Sequence, residues 1–137
     1  MGSLRLFEPP RPLTYLLRRI GKLMKKKVMS TPLGPSAIGP YSQGIQAGNL
    51  VFVSGQIALD PSNGKLIDDM SIRAQTQRSL LNVQGVLTSA GVGLADVVKV
   101  TIYLSDMDNF KEVNEVYGEF FVHSPPARAT VQVAGLP

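Results

Sequence analysis

Two stretches of this sequence have apolar residues at helical spacing, and each is followed by a stretch that alternates like a strand. The first predicted helix runs to about Ala90, and the second begins near Asn109. Each has a single apolar stripe, so each must bury one side against another element. The stripe of the first helix comprises Ile72, Thr76, Leu80, Val83 and Leu87, and that of the second comprises Phe110, Val113, Tyr117 and Phe120.

Alternating apolar and polar residues predict the strands. Two of them lie between residues 45 and 57 and form a hairpin around Gly48-Asn49, a pair typical of two-residue turns. Residues 97–104 and 127–133 follow the two helices. The order strand, strand, helix, strand, helix, strand, with or without a short third strand near Lys65, predicts the α+β class, with one mixed sheet and both helices packed on a single face.

The other face of this predicted sheet carries large apolar side chains such as Phe52 and Tyr103. An exposed apolar face of this kind usually marks an interface. We therefore expect the protein to self-associate, with the open sheet face buried against a neighbouring protomer.

Local signals predict where the helices begin and end. Asp68 or Asp69 is placed to cap the first helix, and Gly91 is placed to end it. Asn109 and Glu112 have the spacing of a capping box, which predicts that they close the start of the second helix.

Composition excludes several kinds of site. The chain has 137 residues, a length typical of one domain, and 44% of them are hydrophobic. It has no cysteine, which excludes disulfides, thiolate nucleophiles and zinc fingers. His123 is the only histidine, so a histidine-rich metal site is excluded too. Neither a phosphate-binding loop nor a pair of metal-binding carboxylates is recognisable.

The positive charge is concentrated at the N-terminus. Residues 1–30 carry eight Lys and Arg residues and one Glu, whereas residues 31–137 carry six basic and nine acidic residues. The net charge of +4 therefore comes from the N-terminal segment, and the remainder is mildly acidic. A nucleic-acid-binding domain is not favoured by this distribution.

Residues 1–30 are predicted to be a basic extension of a domain that covers residues 31–137. Residues 13–24 mix apolar and basic side chains without an acidic one, a composition typical of mitochondrial transit peptides. The alternatives are a disordered basic arm and an alternative start upstream of Met29. The expected location is the mitochondrial matrix or the cytoplasm. The apolar stretches are shorter than the roughly 20 residues that span a bilayer, so no membrane association is predicted.

Arg128 lies in a stretch that reads as a strand after Pro125-Pro126. Alternation places it with Thr130 on one face, opposite Ala127 and Ala129. Two interpretations remain open from spacing alone. Arg128 belongs either to a solvated polar face or to a cleft, where its planar guanidinium could bind a small carboxylate through two hydrogen bonds.

Gly55 and Asn114 also allow two interpretations each. Gly55 interrupts a predicted strand, which indicates either a bulge or a close approach by another group. Asn114 borders the apolar stripe of the second helix, where it either caps the edge of the core or points into a site.

Five motifs occur in an order and spacing that resemble the reactive intermediate/imine deaminase family, the RidA or YjgF-type proteins. The resemblance extends from about Ser30 to Pro137. The motifs are Gly39-Pro40-Tyr41-Ser42-Gln43, Val53-Ser54-Gly55-Gln56, Val98-Lys99-Val100-Thr101, Val113-Asn114-x-x-Tyr117 and Pro126-Ala127-Arg128-Ala129.

The resemblance implies a chorismate-mutase-like fold and a homotrimer with three clefts between its protomers. It implies an enzyme that hydrolyses enamine and imine intermediates, such as 2-aminoacrylate or 2-iminobutanoate, to 2-oxo acids and ammonia. It implies no metal and no cofactor. Two other functions are compatible with the same fold: binding of small carboxylates or a partner without turnover, and RNA cleavage or inhibition of translation.

The resemblance also assigns roles to matching positions. Arg128 is expected to hold the substrate carboxylate, and Tyr41 to close over the ligand. The remaining residues expected to line the cleft are Ser54, Gly55, Asn114 and Thr130.

The family usually continues beyond the Gly-Leu-Pro that matches Gly135-Leu136-Pro137. The following strand carries a glutamate that positions water. A chain that ends at Pro137 is therefore expected to turn imines over slowly and to trimerise weakly, because an unpaired sheet edge favours wrong pairing.

Overall fold

The computed structural model describes residues 12–15, 17–18 and 25–137. In the predicted N-terminal extension, residues 13–15 and 17–18 are helical and exposed, and residues 1–11, 16 and 19–24 lie outside the described residues. The named elements are β1 (Lys26–Met29), β2 (Gly44–Ala47), β3 (Leu50–Val53), α1 (Ile72–Ser89), β4 (Lys99–Leu104), α2 (Phe110–Phe120) and β5 (Ala127–Gln132).

The α+β class is confirmed, but the strands of the described residues form two sheets where one was predicted. One is antiparallel, in the order β1-β2-β3, and the other is a parallel pair of β4 and β5. Alternation along a sequence identifies strands and their faces, but it does not say which strands are neighbours. The number of sheets therefore depends on tertiary packing, which the alternation does not encode.

The strand β1 lies just before the predicted domain of residues 31–137. Lys26–Met29 pairs with the whole of β2, and Met29 is 4% exposed in the core. Residues 26–29 thus belong to the folded part of the chain, although a run of three lysines reads as a basic arm. The lysines are tolerated because β1 is an edge strand whose exposed side chains reach water.

Helix α1 covers one face of the antiparallel sheet. Gly44 lies so close to this helix that an added Cβ would be 2.9 Å from the Val86 side chain. Val86 itself is fully buried. On the opposite face, Val28, Ile45 and Phe52 form one cross-strand row, and Phe52 is 59% exposed. The predicted open apolar face is therefore present in this sheet.

The parallel pair packs against both helices. Val100 and Ile102 contact a core cluster of Leu80, Tyr117 and Phe121. The rings of Tyr117 and Phe121 are stacked with their centroids 4.4 Å apart. The cluster draws on α1 and α2 together, so it fixes the position of β4 and β5 relative to the helices.

The predicted end of α1 is confirmed, and its predicted cap is wrong by a few residues. Gly91 has φ +76 directly after the helix, and its N–H donates to the Thr88 carbonyl. The N-cap is Ser71, whose hydroxyl accepts from the Ala74 N–H at 3.2 Å. Asp69 instead accepts from the Ser71 N–H, which orders the turn before the helix.

The predicted capping box of α2 is wrong. Asn109 makes no side-chain cap bond, because it already has helical dihedrals after a 3-10 turn over Met107–Asn109. The carboxylate of Glu112 accepts from the backbone N–H of Arg73 at 3.1 Å. Glu112 thus accepts from a free N–H in the first turn of α1 and forms no capping box with Asn109 in its own helix.

The buried side of α1 is broader than the predicted stripe. Leu80 and Leu87 are buried as expected, but Asn82 and Val86 are fully buried as well. The amide of Asn82 donates to the carbonyls of Ile57 and Leu59, at 3.1 and 2.9 Å. These bonds hold the segment after β3 over a second side of the helix, so a second side becomes part of the core.

Candidate active site

A cleft of ≈ 360 Å³ opens between α2 and the start of β5. The structure places two of the predicted site residues there, Arg128 and Asn114. The cleft is lined by Asn114, Tyr117, Gly118, Phe121, Pro125, Pro126 and Arg128.

The strand register explains why Arg128 faces the helix. In the parallel pair, Arg128 lies opposite Val100 and Thr130 lies opposite Ile102. Directly paired residues share a face of the sheet, and Val100 and Ile102 pack towards the helices. Arg128 is therefore on the covered face, in a cleft at its edge, and not on the open side.

The guanidinium of Arg128 is held by aromatic rings. Its central carbon lies 4.7 Å from the centroid of the Tyr117 ring and 5.7 Å from that of Phe110. Within residues 12–15, 17–18 and 25–137, the guanidinium makes no hydrogen bond or ion pair. All of its N–H donors are thus available to a ligand, and a carboxylate matches their planar arrangement.

Two hydroxyl groups near Arg128 have no hydrogen-bond partner. Among the described residues, the buried side-chain oxygens without a partner are Tyr117 Oη and Thr130 Oγ1. Burial raises the pKa of Tyr117, and the charge of Arg128 opposes that shift in part. Tyr117 is consequently protonated at neutral pH, and its hydroxyl remains a potential donor.

Tyr41 lies in a different part of the protomer. It borders a smaller cleft of ≈ 180 Å³, together with Met29 and Gln43. Its ring is about half exposed, and its hydroxyl accepts weakly from the Ile38 N–H at 3.4 Å. Within one chain, the structure does not bring Tyr41 into the cleft of Arg128.

Ser54 and Gly55 follow β3, which ends at Val53 and not at Ile57 as predicted. The Ser54 hydroxyl donates to the Ser42 carbonyl at 2.6 Å, and its N–H donates to the Gln43 carbonyl. It thereby fixes the segment that carries Tyr41. Gly55 is exposed, and an added Cβ would meet nothing within 4 Å, so neither a bulge inside the strand nor a close approach is present within the protomer.

Gln43 is a residue whose role the sequence did not predict. It is 5% exposed, and its side-chain oxygen accepts from the Thr31 N–H at 2.7 Å. Its side-chain nitrogen lies within 3.0 Å of the carbonyls of Thr31, Gly34 and Pro35. Gln43 therefore ties the loop 31–35 to the strand that follows Tyr41. Its place in a family-like motif was the only available signal.

No group of three or more metal-binding side chains occurs in the part of the chain that the structure describes. Over the same residues, no helix is both long enough and apolar enough to cross a membrane.

Comparison with known proteins assigns the family. The sequence model of the family described as Endoribonuclease L-PSP matches residues 31–137. The chain belongs to this RidA/YjgF family. The family predicted from the five motifs is thus confirmed.

Relatives and solved structures agree with this assignment. A RutC family protein of Pyrococcus abyssi is 48% identical over 114 residues, which cover 83% of this chain and 89% of the relative. A mouse 2-iminobutanoate/2-iminopropanoate deaminase is 45% identical over 112 residues, or 82% of each chain. The crystal structure of Escherichia coli TdcF with bound serine, 40% identical, superposes with a TM-score of 0.76 and covers 81% of this chain and 88% of TdcF. The predicted RidA/YjgF fold is therefore confirmed.

Proposed function

We propose that this RidA/YjgF-family protein hydrolyses small 2-imino acids, such as 2-iminobutanoate and the imine form of 2-aminoacrylate, to 2-oxo acids and ammonia. The observation that carries the proposal is the Arg128 guanidinium, which borders the cleft without a hydrogen-bond or ion-pair partner in the described residues. An unpaired cation in a cleft with aromatic and proline walls is suited to a small carboxylate with a short apolar side chain.

In this mechanism Arg128 binds the substrate carboxylate through two parallel hydrogen bonds. Water then attacks the imine carbon: a C–O bond forms, the C=N π electrons move to nitrogen, and nitrogen takes the proton that the attacking water loses. When the carbinolamine collapses, its hydroxyl proton passes to the nitrogen, the C–N bond breaks, the carbonyl forms and ammonia leaves. The imine carbon is already electrophilic, so holding it beside water supplies much of the acceleration.

Asn114 and Thr130 are proposed to line the site beside Arg128. Asn114 is on the exposed side of α2 and borders the same cleft. Its amide can donate to the ligand and accept from it. Thr130 follows Arg128 by two residues on the same face, and its buried hydroxyl lacks a partner. A ligand, or water beside it, could supply the missing hydrogen bond.

The complete site is proposed to form between protomers of a homotrimer. Tyr41 and Arg128 border separate clefts in one chain, so Tyr41 can close over the ligand only from a neighbour. Ser54 and Gly55 would join the lining in the same way. The exposed rings of Phe52 and Tyr103 provide an apolar surface for the contact.

The test is a coupled assay in which a pyridoxal-phosphate dehydratase generates the imine from serine or threonine. The full chain is expected to speed the appearance of the 2-oxo acid. Arg128→Lys keeps the positive charge but loses the planar pair of N–H donors that binds a carboxylate through two hydrogen bonds. Each charge-assisted hydrogen bond contributes about 1.5–3 kcal/mol, so kcat/KM should fall tenfold or more. Unchanged kinetics in this variant would overturn the role of Arg128.

The alternative is a protein that binds small carboxylates without turnover. The bound serine in the TdcF structure favours it, because serine is a small carboxylate held by a protein of the same fold. Calorimetry with 2-oxobutanoate separates the two functions. Binding that depends on Arg128, with no acceleration in the coupled assay, would select the binding protein.

We propose mitochondrial import or cytoplasmic residence for the chain, with the N-terminal segment as the targeting signal in the first case. The strand β1 limits where such a signal could be removed. Cleavage after Met29 would delete β1, which pairs with β2, whereas cleavage before Lys26 would retain it. An import assay with fluorescent reporter fusions tests targeting, and the mass of the imported chain locates the cut.

A further inference from the structure

Helix α2 presents two aromatic side chains to the guanidinium of Arg128. Phe110 and Tyr117 are seven residues apart, so they lie two turns apart on the same side of the helix. The guanidinium carbon is 5.7 Å from the Phe110 centroid and 4.7 Å from the Tyr117 centroid. Both distances are within the range of a cation–π interaction, about 6 Å.

The two rings are the interacting partners of the guanidinium in the described part of the chain, where it has neither a hydrogen bond nor an ion pair. A protein commonly fixes an arginine with a carboxylate. Such a carboxylate would occupy the same donors that a substrate carboxylate needs. Aromatic faces attract the cation and use none of its N–H groups.

We propose that Phe110 and Tyr117 are positioning residues for Arg128, fixing its guanidinium through their rings so that its donors stay free for the substrate carboxylate. This inference rests on the proposed function, because it assumes that Arg128 binds that carboxylate. Neither ring needs to touch the reacting atoms.

The two rings differ in how firmly they are held. Tyr117 is 5% exposed and stacked on Phe121 in the core, so it provides the fixed side of the contact. Phe110 is 36% exposed at the start of α2 and completes the contact from the surface. A change at Phe110 therefore probes the positioning with little damage to the core.

The experiment compares Phe110→Leu with Phe110→Tyr in the coupled imine assay. Leucine keeps apolar bulk but has no ring, and an exposed cation–π contact corresponds to about a 2- to 5-fold change in an equilibrium constant. We expect KM to rise by that factor, with kcat changed less than twofold. Tyrosine retains an aromatic ring, so Phe110→Tyr should have the KM of the unchanged protein.

Phe120→Leu is the matched control. Phe120 is on the same helix and packs on the core cluster. This change should lower the melting temperature without raising KM. If Phe110→Leu and Phe120→Leu have the same effect on KM, or if Phe110→Tyr fails to restore it, the positioning role is overturned.

A binding measurement keeps the two proposals separable. Calorimetry should show that Phe110→Leu weakens 2-oxobutanoate binding but leaves binding of the uncharged 2-oxobutanamide unchanged. If Arg128→Lys weakens 2-oxobutanoate binding and Phe110→Leu does not, the positioning role fails while the role of Arg128 stands. If Arg128→Lys also has no effect, the proposed function fails first.

Discussion

Buried polar groups differ in their hydrogen bonding between two regions of the protein. The first region is the antiparallel sheet β1-β2-β3 with the side of α1 that covers it, and the second is the parallel pair β4-β5 with α2. In the first region, the side chains of Gln43 and Asn82 are buried, and each makes hydrogen bonds to several backbone groups. Around the parallel pair, the hydroxyls of Tyr117 and Thr130 are buried without a partner, and the Arg128 guanidinium has no hydrogen-bond or ion-pair partner among the described residues. Buried polar groups normally have a hydrogen-bond partner. The first region is therefore a structural scaffold, whereas the second retains donors and acceptors that a ligand could pair with.

The largest effect is expected for Gln43→Leu. This change would leave the Thr31 N–H and the carbonyls of Thr31, Gly34 and Pro35 without their partner. Each unsatisfied buried group costs about 1–3 kcal/mol, so the free energy of unfolding should fall by about 3–5 kcal/mol. Urea denaturation measures the loss.

Gln46→Leu is the matched control for that change. Its side chain makes one partly buried bond, to the Gly48 carbonyl at 3.3 Å, so the loss should stay below about 1 kcal/mol. Equal losses in the two variants would mean that Gln43 is not a scaffold residue.

A smaller loss is expected for Asn82→Leu, about 2–3 kcal/mol in the free energy of unfolding. The change leaves the carbonyls of Ile57 and Leu59 unpaired and removes the acceptor of Arg78. Gln84→Leu, at an exposed position of the same helix, should change stability by less than about 0.5 kcal/mol. A loss as small for Asn82→Leu as for Gln84→Leu would contradict the scaffold assignment.

Tyr117→Phe should act in the opposite direction. It removes a buried hydroxyl that has no partner and keeps the ring that contacts Phe121 and Arg128. The free energy of unfolding should rise by about 1 kcal/mol. A clear loss would show that the hydroxyl is bonded in the assembled protein, and the contrast between the two regions would then disappear.

The smallest effect concerns pH. Burial raises the pKa of Tyr117 above its ordinary value of about 10. Below pH 10 the hydroxyl is protonated in both states and contributes no pH dependence. As pH rises above 10, the unfolded state loses this proton first, so stability falls until the folded pKa is passed. Urea denaturation between pH 8 and 11 should show a shallower fall for Tyr117→Phe, and parallel curves would refute the assignment.

Local patterns predicted the parts of the fold that depend on local geometry. Alternation identified the face that Arg128 shares with Thr130, and the turn at Gly48-Asn49 joins β2 to β3 as predicted. Gly91 ends α1 as predicted, because a helix end with a positive φ depends on the local backbone alone. The family motifs identified the cleft residues Arg128 and Asn114 as site candidates, and the structure lines one cleft with both.

The features that the sequence did not predict depend on distant partners. The bonds of Gln43 reach residues 8–12 positions away, and those of Asn82 reach 23 and 25 positions. Lys26–Met29 forms a strand because it pairs with β2, although its lysines are typical of a disordered basic segment. The separation of Tyr41 from Arg128 also depends on tertiary packing, which a motif does not encode.

The contact between Glu112 and the Arg73 backbone has a consequence for the order of folding. It spans 39 positions, so the Arg73 N–H gains this acceptor only when α2 has docked beside α1, although Ser71 caps the same turn locally. The ion pair between Arg73 and Glu119 adds a second tie between the helices. Nascent α1 should therefore fray at this end, and the two helices should gain protection from hydrogen exchange together. The exchange rate of the Arg73 amide would then report the docking of the helices in real time.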